Sequence, residues 1–362
     1  HNCRHMQRFR EAERVEIIME PQLREAQRNI ATTIVASCDD RKRAIDQQEP
    51  TRTRCFFIDG PAGSGKTFTY TYLYNKLVSL GYRVLCVAWS GIAAGLLPGG
   101  TTASTAFKLP VPLGENTSCG IRMQTSYANH LRLLDVIIWD EASMIPKKAL
   151  VAVHNLFTNL TGETNPNILF GGKVVLLGGD FRQVLPVVRR GSYGDIIQET
   201  IKTWSEWRQF QCLSLQTNIR CQNVEYQQLI LRIGNGEAMP ANVTSMARQY
   251  GWMANNLEDL INHVYSDFDN LAEKAILACK NTDVRIINQM VLQRFKDYTA
   301  NRNRAVGQDA PFDRISLSAD SIEPDGVVNL NAYPIEFLNN YNAAGFSQHH
   351  LRLVEGGIYM LI

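Results

Sequence analysis

Residues 60–67 read Gly-Pro-Ala-Gly-Ser-Gly-Lys-Thr and match the phosphate-loop pattern GxxxxGK[ST] at every defined position. The loop follows the apolar run 55–58 and precedes the amphipathic stretch 68–80, the strand, loop and helix order that this motif requires. Its glycines let the backbone curl so that several N–H groups point at one anion, and the positive end of the next helix adds to that field. The motif predicts that Lys66 reaches the outer phosphates of a nucleotide and that the Thr67 hydroxyl holds Mg²⁺. The predicted phosphate-binding residues are Gly60, Pro61, Ala62, Gly63, Ser64, Gly65, Lys66 and Thr67.

The composition narrows the class of protein. The chain has 362 residues, 45% of them hydrophobic, which predicts two or three domains. A formal charge of +2 is nearly balanced, so any nucleic-acid contact is expected in a local groove. No apolar run is long enough for a membrane span, and no secretory signal is visible. The eight cysteines form no CxxC pair, which favours reduced intracellular thiols over a zinc site or a disulfide framework.

The order of apolar and helical patterns indicates the fold class. Helices are predicted at 22–37, 66–80 and 147–160, and strands at 55–59, 84–88, 136–139, 174–178 and 212–215. Buried strands spaced by helices indicate an α/β fold with a parallel sheet covered on both faces, in which ligands bind beyond the carboxyl ends of the strands. Farther on, strand patterns at 275–279 and 315–318 flank a helix pattern at 283–296.

Domain boundaries follow from the same reading. The prediction is a charged tail over 1–20, with the end of an upstream helix as the alternative, a first domain over 21–214 and a second, partial domain over 215–362. A start at His1 rather than Met, and an end inside the strand-like run 357–362, suggest a fragment of a longer protein.

Asp140 and Glu141 end the apolar run 136–139. Asp140 is the expected Mg²⁺ partner, and Glu141 is placed to orient or polarise the water that attacks the γ-phosphate. An acidic pair at a strand end is also common as a plain turn. Together with the phosphate loop, the pair favours nucleotide hydrolysis over a small-molecule kinase.

Two further residues are candidates for sensing the γ-phosphate. Gln183, in the run 178–183 after another apolar strand, can donate to that phosphate and accept from water; the alternative is a solvated turn. Arg220 opens the predicted second domain and would act as an arginine finger if that domain packs against the first. By spacing alone, Arg220 is also consistent with a surface cation.

The stretch 101–110 is a candidate DNA contact. Hydroxyl groups and Lys108 suit backbone phosphates, and a base can stack on Phe107 for about 1–3 kcal/mol. The alternative for Phe107 is a plug in the core. The predicted DNA-binding residues are Ser104, Thr105, Phe107 and Lys108.

With these blocks in order, the chain resembles the Pif-one-like DNA helicases, the 5′-to-3′ branch of superfamily one that includes the helicases of Helitron transposons. The resemblance spans residue 22 to the C-terminus, and its most specific block is GGDFRQVLPV after WDEASM. The matching stretches are GPAGSGKT (60–67), VLCVAWSGIAA (84–94), TTASTAFKLP (101–110), VIIWDEASM (136–144), GGDFRQVLPV (178–187) and LQTNIR (215–220), with weaker matches at 275–288 and 314–322.

The resemblance implies tandem RecA-like domains, the second one incomplete here, with ATP between them and single-stranded DNA across their top. It implies that Gln27 reads adenine, that Lys66, Glu141, Gln183 and Arg220 are catalytic, and that Thr67 and Asp140 hold Mg²⁺. Two departures stand out. The family usually has His-Ser at Ser104-Thr105, and its late motifs would lie beyond Ile362.

The expected function is an ATP-dependent helicase that acts as a monomer on single-stranded DNA and duplex junctions, in repair, recombination, telomere maintenance or transposition. The expected compartment is the nucleus, with the mitochondrion as the alternative. Two other hypotheses stay open: a degenerate transposon-derived relic without unwinding activity, and an unrelated P-loop enzyme such as a polynucleotide kinase.

Overall fold

The computed structural model describes residues 2–50, 52–188, 190–237, 244–245, 247–248, 251, 253–319, 339 and 349–359. The chain divides into two compact units between residues 240 and 241.

A six-stranded parallel sheet forms the centre of the first unit, in the order β3-β2-β4-β5-β1-β6. This confirms the predicted α/β class. The strands are β1 (Arg54–Asp59), β2 (Val84–Ala88), β3 (Thr101–Thr102), β4 (Val136–Asp140), β5 (Val174–Gly179) and β6 (Gln211–Ser214).

Helices surround this sheet. The α-helices of the unit are α1 (Asn2–Met19), α2 (Glu25–Asp46), α3 (Lys66–Ser79), α4 (Gly91–Gly95), α5 (Ala103–Phe107), α6 (Ser126–Arg132), α7 (Lys147–Thr161), α8 (Tyr193–Gln198) and α9 (Val224–Gly234). Short 3₁₀ turns lie at Glu20–Gln22, Ala142–Met144, Leu169–Gly172, Ile201–Thr203 and Ser205–Gln209.

Each face of the sheet has its own apolar core. Buried residues of α1, α2 and α3 pack with Phe56 and Ile58 on one face, whereas α5, α6 and α7 pack with Phe57 on the other. The alternation runs on along β4, where Ile138 joins the α3 side and Trp139 the α7 side. Because strand side chains alternate between faces, Asp140 points to the α3 side.

The N-terminal segment corrects the prediction of a charged tail over 1–20. Residues 2–19 form α1, which buries Ala12 and Met19 in the core beside α3. The Lys76 ammonium of α3 lies 2.7 Å from the Glu16 carboxylate of α1. The apolar stripe of α1 is narrow, and most of its other residues are charged or polar. The composition of residues 1–20 is therefore typical of a tail.

The first unit also extends past the predicted boundary at 214, because residues 215–220 lie against the phosphate loop. The other elements predicted within it at 55–59, 66–80, 84–88, 136–139, 147–160 and 174–178 are confirmed to within two residues at each end.

The second unit contains α10 (Leu257–Val264), a 3₁₀ turn at Leu271–Glu273 and α11 (Asn281–Ala305). Its β7 (Asp313–Leu317) and β8 (His350–Val354) pair antiparallel. The helix pattern at 283–296 and the strand pattern at 315–318 are therefore confirmed. The strand predicted at 275–279 is wrong, because these residues have no regular secondary structure. In the run 357–362, residues 357–359 are not a strand, and 360–362 lie outside the described residues.

No helix in the part of the chain that the structure describes is both long and apolar enough to cross a membrane.

Candidate functional site

The predicted site residues of the first unit meet at the carboxyl ends of its central strands. The phosphate loop follows β1, Asp140 ends β4 with Glu141 directly after it, and the segment 180–183 follows β5. The three strands are neighbours in the sheet, so their ends form one edge above which a ligand can lie.

The phosphate loop has the strained backbone that its glycines allow. Gly63 and Gly65 adopt φ of 80° and 86°, in the left-handed region. Gly65 is the N-cap of α3, so the first N–H groups of that helix face the loop. The Lys66 ammonium donates to the carbonyls of Gly60 and Pro61. An anion in the loop would offer this ammonium stronger, charged acceptors.

Lys66 is half-buried and lies near several acids. Burial lowers the pKa of its ammonium, while the nearby carboxylates of Asp140, Asp180, Glu141 and Asp59 act to raise it. A partly buried cation interacts more strongly with a bound polyphosphate than an exposed one does, because the effective dielectric constant around it is lower. Lys66 therefore has the electrostatic setting that phosphate binding needs.

Asp140 is 7% exposed, and burial raises the pKa of its carboxyl to about 6. Glu141 follows with φ 59° and ψ 41°, a left-handed conformation uncommon for a residue with a side chain. Such strain often accompanies a functional position. The turn places two acids in different settings, one buried and one half-exposed.

These residues fit a magnesium ion in the presence of a nucleotide. Mg²⁺ prefers oxygen ligands and is commonly held by one or two carboxylates together with phosphates and waters. The buried carboxylate of Asp140 and the Thr67 hydroxyl in the first turn of α3 would supply oxygens of this kind. No cluster of three or more His, Cys, Asp or Glu side chains suited to a metal occurs among the described residues.

The segment after β5 forms a hydrogen-bonded group around a buried acid. The Asp180 carboxylate accepts from Arg182 at 2.7 Å and from the Gln183 amide at 3.2 Å. Arg182 also donates to Asp59, the last residue of β1, at 3.1 Å. Sequence reasoning missed Arg182, since its contact with Asp59 joins residues 123 positions apart. The ion pair ties the segment that carries Gln183 to the strand that enters the phosphate loop.

Arg220 lies beside the phosphate loop within the first unit, which corrects the expectation that it belongs to the second. The Ile219 N–H donates to the Gly63 carbonyl at 2.7 Å, and the Asn218 amide donates to the Ala62 carbonyl at 3.1 Å. A Cβ at Gly63 would come within 2.9 Å of the Arg220 Cβ, so the loop glycine is needed for this approach as well as for its φ. The Arg220 side chain is exposed.

Gln27 contacts the phosphate loop directly. Its side-chain oxygen accepts from the Arg24 N–H at the start of α2, and its amide donates to the Gly65 carbonyl at 3.3 Å. The side chain is almost fully buried. The structure thus places Gln27 at the loop, and its reading of adenine stays a prediction.

The DNA-binding candidates divide into two groups. Phe107 is wrongly predicted to stack on a base: its ring is 0% exposed and packs on Trp139 and Phe157. The stretch is not a loop, since residues 103–107 form α5 and its apolar side faces the core. Ser104 is half-buried on that helix, while Thr105 and Lys108 are exposed. These three stay candidates for phosphate contacts.

Replacing Asp140 with asparagine is expected to stabilise the nucleotide-free protein at pH 8. A carboxyl whose pKa rises from 3.8 to about 6 on folding contributes stability in acid, and this contribution is lost as the pH rises through 6. The charged form then costs about 1–3 kcal/mol at pH 8. Thermal unfolding should show a higher Tm for Asp140→Asn at pH 8 and a smaller gain at pH 5. The exposed Glu13→Gln is the control, and an unchanged or lower Tm at pH 8 for Asp140→Asn would contradict the burial argument.

Comparison with known proteins agrees with this geometry. Residues 22–244 match a family model described as PIF1-like helicase. The ATP-dependent DNA helicase PIF1 of Trypanosoma brucei brucei is 34% identical over 130 residues, which are 35% of this chain and 12% of that protein. The ATP-dependent DNA helicase Pif1 of a Psychrobacter species is 27% identical over 249 residues, which are 68% of this chain and 36% of that protein.

The fold has solved relatives. A crystal structure of Bacteroides Pif1 bound to single-stranded DNA superposes with a TM-score of 0.56 at 18% identity, covering 91% of this chain and 63% of that one. At this identity, the likeness concerns the fold. The chain thus matches about an eighth to a third of the length of the two curated relatives.

Proposed function

The chain belongs to the PIF1-like helicase family, and we propose on that premise that it is the ATP-hydrolysing part of a DNA helicase. The proposal rests on a single observation. The residues predicted to bind and hydrolyse ATP lie together at one edge of the sheet. Lys66 lies among Asp140, Glu141 and Asp180, and Arg220 lies against the same phosphate loop.

ATP is the proposed substrate, held through its phosphates by backbone N–H groups of residues 62–67 and by Lys66. Mg²⁺, when bound, would neutralise phosphate charge, and Thr67 and Asp140 are the residues that would hold it. Glu141 is placed to accept hydrogen bonds from the attacking water, because its carboxylate is less buried than that of Asp140. Gln27, at the back of the loop, is proposed to read the adenine.

Coupling to DNA is proposed to run through the segment after β5. Gln183 is tethered to Asp180, which also holds Arg182, and Arg182 reaches Asp59 at the entry to the phosphate loop. When the γ-phosphate leaves, Gln183 would lose its hydrogen bond to that phosphate and keep its hydrogen bond to Asp180. A group that changes partner on hydrolysis can shift the segment that bears it.

Single-stranded DNA is the proposed track. Ser104, Thr105 and Lys108 supply hydroxyls and a cation for its phosphates, without a base stacked on Phe107. Binding to duplex junctions, action as a monomer, 5′-to-3′ direction, and roles in repair, recombination, telomere maintenance or Helitron-type transposition belong to the same proposal. So does its location in the nucleus, with the mitochondrion as the alternative.

Single-stranded DNA is expected to raise the rate of ATP hydrolysis by at least about tenfold, with a stimulation that falls as salt increases, because phosphate contacts release counterions. Phosphate release measured with and without an oligonucleotide tests this. Lys108→Ala should raise the DNA concentration needed for half-stimulation, while Lys42→Ala, an exposed lysine on α2, should not.

Other outcomes would favour the two alternatives. Nucleotide and DNA binding with no hydrolysis would support a degenerate relic. Transfer of the γ-phosphate to a DNA 5′ end would support a polynucleotide kinase. Equal hydrolysis with and without DNA would contradict a DNA-driven motor.

A further inference from the structure

Tyr70 carries a buried hydroxyl that lies near the Asp140 carboxylate without a well-formed hydrogen bond to it. It lies on α3 one turn beyond Lys66, and its side chain is 0% exposed. The hydroxyl forms no hydrogen bond of ordinary distance and angle with any described residue, although the Asp140 carboxylate lies close enough to interact with it. Buried polar groups are nearly always paired, so an unpaired phenol beside a ligand site calls for a partner.

Gly178 makes the space that this hydroxyl occupies. A Cβ built on Gly178 would lie 1.6 Å from the Tyr70 hydroxyl oxygen, so the phenol reaches the backbone of β5 itself. Any side chain at position 178 would displace it. Because residue 178 is a glycine, the Tyr70 ring can extend from α3 as far as the backbone of β5.

The sheet register brings Asp140 to the same point. Trp139 of β4 pairs with Leu177 of β5, so Asp140 and Gly178 are the next neighbours along the two strands. Side-chain alternation turns both positions to the α3 face, where Tyr70 packs. The Asp140 carboxylate is the charged group that acts most strongly on the Tyr70 phenol. The phenol and the Asp140 carboxylate therefore lie beside each other on the α3 face of the sheet.

We propose that Tyr70 is a positioning residue for Asp140, and that its hydroxyl donates to one carboxylate oxygen when a magnesium–nucleotide complex binds. The other oxygen would then be left free for the cation. This inference rests on the proposed function, because it needs a nucleotide held by the phosphate loop. Hydrogen-bond partners of metal-binding carboxylates commonly change metal affinity by 10- to 100-fold.

The test is Tyr70→Phe in the whole chain, which removes one oxygen and keeps the ring. Binding of a fluorescent ATP analogue is measured while Mg²⁺ is titrated, and again in excess chelator. We expect Tyr70→Phe to need about tenfold more Mg²⁺ for half-maximal binding, with unchanged binding in chelator. Its Tm should be equal to or above that of the unchanged protein, because an unpaired buried hydroxyl has been removed.

Tyr72→Phe is the matched control. It makes the same chemical change on the same helix, at a tyrosine that packs toward Glu16 and Glu20 rather than the sheet edge. Its Mg²⁺ dependence should equal that of the unchanged protein.

The possible failures are separate. If the unchanged protein binds the analogue with a clear Mg²⁺ dependence and Tyr70→Phe shows the same dependence, the positioning role is overturned and the proposed function stands. Loss of binding in chelator and in Mg²⁺ alike would assign Tyr70 to packing and also overturn the role. If the unchanged protein binds no nucleotide at all, both proposals fail together.

Discussion

Replacing Arg220 with alanine is expected to lower the turnover number for ATP by about 10³-fold or more, the range known for arginine fingers. The physical reason is that its guanidinium can neutralise charge that develops on the γ-phosphate during cleavage. Its backbone is already held at the phosphate loop by Ile219 and Asn218, and its side chain is exposed. Steady-state ATP hydrolysis with saturating DNA is the measurement, together with nucleotide affinity.

The control variants separate charge from geometry. Arg220→Lys keeps the charge but loses the two-pronged hydrogen-bonding group, so it should fall between the unchanged protein and Arg220→Ala. Arg14→Ala removes an exposed arginine of α1 and should have no effect. A turnover number for Arg220→Ala within about threefold of the unchanged protein would exclude the finger role.

Replacing Lys66 with alanine should lower ATP hydrolysis by about 10²–10³-fold, the usual effect of removing one fixed donor from a transition state. The ammonium is half-buried, lies near several carboxylates and donates to the Gly60 and Pro61 carbonyls. Without it, those carboxylates would face the phosphates with no balancing cation, so nucleotide affinity should fall too. Hydrolysis and binding of a fluorescent nucleotide measure the two effects, and Lys42→Ala serves as the control.

Normal activity of Lys66→Ala would contradict the proposed role of Lys66 in phosphate binding. If Lys66→Ala hydrolysed ATP at the normal rate and bound it with normal affinity, the ammonium would have no role at the phosphates. Its contacts with Gly60 and Pro61 would then be structural.

Much of the first unit could be predicted because its signals are local. The strand before the phosphate loop, the helix after it and the acids at the end of β4 all follow from neighbouring residues. Their side chains reach the same edge because parallel strands share an orientation. The resemblance to a helicase family rests on the same short blocks, and the family match over 22–244 bears it out.

The wrong sequence predictions concern residues whose burial or pairing depends on residues far away in the chain. The sequence around Phe107 is compatible with stacking on a DNA base. In the fold, Trp139 and Phe157 pack against its ring and bury it. The residues of α1 suggested a tail until α3 supplied a surface for their narrow apolar stripe. The run 275–279 has the composition of a strand, yet a strand needs a neighbour to pair with, and composition does not reveal one.

Short-range chemistry was sufficient to specify the phosphate loop, since the positive φ values of Gly63 and Gly65 and the helix that follows depend on residues within a few positions. Folding in three dimensions was required to bring Arg182 to Asp59, residues 218–220 to Gly63, and Tyr70 to the gap at Gly178. These contacts join residues far apart in the chain. They exist only because the order of strands in the sheet makes them neighbours, and that order is a property of packing that no single segment contains.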